Sequence, residues 1–106
     1  MIVVASGDLG KLLTTGKSKR YKHIVQNGEL FAGLIEAVKI MKSVEKAEEL
    51  KQFSRLHYER LRYEYSGLSS VRLSNRYVHR LIFEEKEDKI TLKLIEIDDT
   101  HYGNKK

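Results

Sequence analysis

The spacing of apolar residues changes once along this chain, and that change confines it to a mixed architecture. From Glu29 the apolar side chains fall at 30, 31, 34, 35, 38 and 41, the spacing that lines one face of a helix. After Phe53 the pattern becomes that of strands. Leu68 to Leu73, Tyr77 to Glu84 and Ile90 to Ile97 each read as a strand, with Ile90, Leu92 and Leu94 on one face of the last. Ser66-Gly67 is a turn, Ser74-Asn75-Arg76 joins the first two strands, and the charged run 84–89 turns between the last two. Upstream, Ile2-Val3-Val4 reads as a short edge strand. Asp8 caps a short helix that Gly16 ends, and Asn27-Gly28 is a turn or cap before the long helix. Ser43 is expected to cap a second, shorter helix through about Phe53, giving a helical hairpin. The expected fold is α+β: a small antiparallel meander sheet with an N-terminal strand, the helical hairpin on one face, and the other face open and basic. A chain of 106 residues is short enough that 1–106 is expected to be a single domain.

Composition removes several functions. With no cysteine there are no disulfides and no thiolate zinc sites. His23, His57, His79 and His101 are scattered without an HxH or HExxH pattern, so neither a metal nor a cofactor is expected. The run 16–23 lacks the glycine spacing of a phosphate loop, and no GxSxG elbow is present. No apolar run approaches the roughly 18–20 residues of a membrane helix. The short apolar start, without basic residues before it, is not a signal peptide, and a cytoplasmic location is expected. The net charge of +5 is unevenly placed. Residues 51–83 hold seven Lys/Arg against two Asp/Glu, residues 1–28 five against one, and residues 84–99 three against seven. Basic blocks of this kind favour a polyanion or an acidic partner, and are otherwise solvated surface.

The basic block 58–83 reads YERLRYEYSGLSSVRLSNRYVHRLIF and is followed by His101-Tyr102. A carboxylate, arginines and a histidine on one small sheet suit phosphodiester cleavage without a metal. The carboxylate takes a proton, the arginines hold the charge that grows on phosphorus, and the histidine protonates a leaving oxygen. Taken alone, Glu59 among Arg55, Arg60 and Arg62 reads first as a surface ion pair. Arg80, in the middle of an apolar strand, is costly unless it faces solvent or an anion. His101-Tyr102 alone reads as a frayed terminus.

Four segments together resemble the RelE/ParE superfamily of bacterial toxins, in particular its YoeB and HigB branches. Glu59-Arg60-Leu61-Arg62-Tyr63-Glu64-Tyr65-Ser66-Gly67 is similar to the YoeB run Glu-x-Leu-basic-x-x-x-Ser-Gly. Ser70-Val71-Arg72-Leu73, His79-Arg80-Leu81-Ile82-Phe83 and His101-Tyr102 follow in the family's order. The resemblance covers 56–102, and upstream only element order matches. It implies the toxin of a type II toxin–antitoxin system, a ribosome-dependent mRNA endonuclease that needs no cofactor. The implied partners are the ribosome with its mRNA and a cognate antitoxin, either a small helix-turn-helix protein or an acidic one, with no membrane. Carried over by residue, Glu59 resembles the general base, Arg72 and Arg80 the phosphate-stabilising arginines, His101 the general acid and Tyr102 an orienting group. Lys17, Lys19, Arg20, Lys22, Arg60, Arg62, Asn75 and Arg76 are the expected RNA contacts. The segment between Arg72 and His79 is longer than in the YoeB pattern. An ungapped match puts Val78 where the second arginine belongs, and a longer hairpin loop puts Arg80 there. Two other readings stand beside the nuclease: a non-catalytic ParE-like toxin that binds gyrase, and a basic RNA-binding module.

Overall fold

Asn27 starts the longest helix by accepting hydrogen bonds at its side-chain oxygen from the backbone N–H groups of Glu29 and Leu30, at 3.1 and 3.2 Å. In the computed structural model, which describes residues 1–99, this helix is Gly28–Ser43. We number it α3, after α1 (Gly7–Thr15) and α2 (Lys22–Gln26). Five strands accompany the helices: β1 (Ile2–Val4), β2 (Glu59–Arg60), β3 (Leu68–Arg72), β4 (Arg80–Glu85) and β5 (Thr91–Asp98). They form one sheet in the order β1-β5-β4-β3-β2. β2 to β5 run antiparallel to their neighbours, and β1 joins β5 in parallel. The fold is α+β, as the two apolar periods require. Among the described residues no helix is long and apolar enough to cross a membrane. Asn27→Ala is expected to cost about 1 kcal/mol of stability, read by urea unfolding, because two N–H groups of the first turn lose their acceptor.

The apolar stripe of α3 (Leu30, Leu34, Ala37, Val38, Met41) packs with Leu9 and Leu12 of α1 and Ile24 of α2 against one sheet face. That face presents Val71, Leu73, Leu81, Phe83, Leu92, Leu94 and Ile97. A bulge keeps the last strand in phase with this core: Ile82 pairs with Glu96 but Phe83 pairs with Leu94, so Ile95 is the extra residue. Gly33 is where α3 lies closest to the sheet end. A Cβ on it would sit 1.8 Å from the carbonyl oxygen of Leu73.

Four expectations need correction. Residues 43–53 do not form a second α-helix. Ser43 closes α3, its hydroxyl donating to the Ile40 carbonyl at 2.7 Å, and Val44 is extended at ψ 160°. The chain then makes a 3-10 segment, Ala47–Gln52, so there is no α-helical hairpin. The first helix starts after Ser6, whose side chain makes no capping hydrogen bond, and Asp8 lies inside its first turn. Tyr77, Val78 and His79 lie outside any strand. The Leu73 N–H donates to the His79 carbonyl, which closes residues 73–79 as a loop. Finally, the sheet face away from the helices is not simply open, because Ser70, Arg80 and Ile82 are buried on it.

Candidate active site

Strand alternation puts Ser70, Arg72, Arg80 and Ile82 on the face away from the helices. The β3–β4 register sets Arg72 directly opposite Arg80. Like charges facing each other across a sheet are destabilising, so what surrounds this pair determines whether it is tolerated. On the outer side, β2 places Glu59 opposite Ser70. On the inner side, β5 places Asp98 opposite Arg80.

Arg80 is held by three acceptors. Its Nε donates to Ser70 Oγ at 2.8 Å, and one terminal nitrogen donates to the His57 carbonyl at 2.9 Å and to Glu59 Oε1 at 3.2 Å. The Arg80 side chain is 10% exposed and that of Glu59 is 49% exposed, so the pair joins a buried cation to a carboxylate open to solvent. Burial lowers the Arg80 pKa from its ordinary value. Glu59 opposes that shift and Arg72 adds to it. Arg72 is the less satisfied member: its Nε is shut off from solvent and has no hydrogen-bond partner among the described residues. With Arg80 directly opposite, the two guanidinium groups concentrate positive charge at this point of the sheet face.

The carboxylate does not make the ion pair expected from its sequence neighbours. Arg55 pairs with Glu36 at 3.5 Å and donates to the Leu73 carbonyl at 3.1 Å, and Arg60 lies 3.9 Å from Glu85. Glu59 pairs instead with the distant Arg80. The longer-loop match is the one that brings the arginines together, since residues 73–79 form that loop and Val78 is exposed within it. His101 and Tyr102 lie outside the described residues.

The expected RNA contacts fall in separate places. Lys17, Lys19 and Lys22 border one open groove between α1 and α2, together with Lys11. Arg20 is tied to Glu96 at 3.0 Å, and Arg76 to Glu29 at 3.0 Å. Asn75 Oδ1 accepts from the His57 Nε2–H at 3.1 Å in the tautomer that carries that proton. Arg62 is exposed. Arg20, Arg60 and Arg76 are therefore engaged within the protein, and the groove lysines and Arg62 are the more available cations.

Two residues of the site were given no role from sequence. Ser70 is buried and fixes the plane of Arg80, and its place two residues before Arg72 in a strand was the available signal. His57 contributes a backbone carbonyl from a left-handed conformation, φ 46°, which sequence does not announce in a non-glycine residue. Burial and the nearby His23 lower the His79 pKa, and the His79 ring stands 5.3 Å from that of His23.

No protein-family model, curated protein or solved structure matches this chain in comparison.

Proposed function

We propose that this chain is an endoribonuclease toxin of the RelE/ParE kind, acting on mRNA at the ribosome. The observation that carries the reading is the cross-strand pair of Arg72 and Arg80, with a half-exposed Glu59 carboxylate on the same face. In the proposed reaction the ribose 2′-oxygen attacks the adjacent phosphorus as Glu59 takes the 2′-OH proton. Arg72, which is half-buried, and Arg80 opposite it place fixed positive charge beside the non-bridging oxygens. The bond to the 5′-oxygen breaks and His101 gives that oxygen a proton, leaving a 2′,3′-cyclic phosphate and a 5′-hydroxyl. Tyr102 orients the reacting nucleotide. The reaction asks for no metal. Lys17, Lys19 and Lys22, with Arg62, hold RNA phosphates and make binding salt-dependent without choosing sequence.

One observation favours the rival reading of a non-catalytic basic module. Arg80 finds three acceptors inside the protein, as a purely structural arginine would. The test is therefore chemical. Induction of the chain is expected to stop translation within minutes, with new mRNA 5′ ends carrying hydroxyls, and a neighbouring antitoxin gene is expected to relieve it. Glu59→Gln is expected to lower cleavage by about a hundredfold or more while the protein stays folded. Intact mRNA at full expression of folded protein, or unchanged cleavage by Glu59→Gln, would overturn the proposal.

A further inference from the structure

Behind the arginine pair, at the same end of the sheet but toward the helices, three other side chains converge. His23 belongs to α2, His79 immediately precedes β4, and Asp99 immediately follows β5. One ligand atom from each lies within 4.8 Å of the others, although the three are far apart in sequence. His79 and Asp99 are the chain neighbours of Arg80 and Asp98. Successive side chains at a strand end point to opposite faces, so one pair of strand ends serves both clusters.

The His79 ring nitrogens have no hydrogen-bond partner among the described residues, and both are closed off from solvent. An imidazole carries polar nitrogens that cost free energy when left dry. His23 and Asp99 are exposed, so their side chains can turn inward. Zinc at about 2.0–2.1 Å from each ligand needs tetrahedral neighbours roughly 3.3 Å apart. No pair is farther apart than 4.8 Å, so none must close by more than about 1.5 Å, within the reach of side-chain rotation. Two imidazoles and a carboxylate are the donors that zinc accepts, with a fourth position left for water.

We propose that His23, His79 and Asp99 form a binding site for a zinc-class divalent metal, which ties α2 to the strand ends behind Arg80. The metal lies across the sheet from the proposed phosphodiester chemistry and takes no part in it. The proposal departs from the expectation that scattered histidines bring no metal, because folding brings His23 and His79 together with Asp99. It also stands independently of the nuclease reading, since its test reads metal binding and not cleavage.

The full chain, freed of metal, is titrated with Co2+ as a spectroscopic probe, and Zn2+ is then added as competitor. The expected result is one Co2+ per chain with the strong visible absorption of four-coordinate cobalt, displaced by Zn2+, and a higher Tm with Zn2+ present. His23→Ala and Asp99→Asn, both at exposed positions, are each expected to weaken binding by about tenfold or more. His57→Asn, which removes a histidine outside the cluster and keeps a residue tolerant of the left-handed backbone, is expected to bind as the parent does. Absence of saturable Co2+ binding, a weak six-coordinate spectrum, or unchanged titrations of His23→Ala and Asp99→Asn would each overturn the proposal.

Discussion

Arg80→Ala is expected to lose stability and cleavage together, whereas Arg72→Ala loses cleavage alone. Removing the Arg80 side chain empties a buried position and strands Ser70 Oγ and the His57 carbonyl without their donor. A large-to-small change with such orphans costs about 3 kcal/mol. Glu59 adds little to that cost, because its carboxylate is half exposed and water replaces the lost partner. An Arg80 on an open face would have cost within about 1 kcal/mol when truncated, and its burial is what changes the expectation. Arg72→Ala removes a like charge from opposite Arg80 and an Nε donor that has no partner among the described residues. Its unfolding free energy is expected to stay within about 1 kcal/mol of the parent, with cleavage falling by about 10²–10³. Urea unfolding and single-turnover cleavage on programmed ribosomes measure the two quantities separately. If Arg72→Ala cleaves like the parent, the phosphate-stabilising role assigned to the pair is wrong.

Gly33→Ala should be the most damaging small substitution in the helical layer. The new methyl would overlap the Leu73 carbonyl oxygen at 1.8 Å and crowd its carbon at 2.9 Å. Both atoms are backbone, so no flexible side chain can give way. A forced overlap of this kind costs about 3 kcal/mol, and it pushes on the residue next to Arg72. Stability and cleavage are therefore expected to fall together. Gly28→Ala is the internal control: it lies in the same helix, a Cβ there meets nothing within 4 Å, and its effect is expected to stay within about 0.5 kcal/mol. Equal melting temperatures for the two variants would show that the helix can slide off the sheet end at little cost.

Local pattern and long-range contact differ in how well they could be read from the chain. The α3 stripe, its Asn27 cap and the β3–β5 alternation follow from neighbours a few residues apart, and the structure contains all three. The 43–53 segment failed as an α-helix because its polar groups had local alternatives. Ser43 bonds back to Ile40, and Glu49 accepts from the Glu45 N–H at 3.1 Å. β2 is only two residues long and exists because β3 lies beside it, so no period could announce it. The candidate site divides in the same way. Glu59, Arg72 and Arg80 were nameable as residue types in order, but the ion pair between the first and last, and the burial of Arg80, arise only when three strands come together. The His23–His79 approach had no local signal at all.

The parallel pairing of β1 with β5 has a consequence for the order in which the molecule assembles. Ile2 finds its partner at Thr91, across nearly the whole described chain. Closing so large a loop costs entropy that a three-residue strand returns only once β5 already stands in the sheet. The meander β3-β4-β5 can zip through short closures, so β1 is expected to dock last. The arginine cluster uses residues between His57 and Arg80 and sits toward the opposite edge of the sheet. It is thus built early and lies far from the edge where opening begins, so a molecule with β1 transiently detached retains its arginine pair.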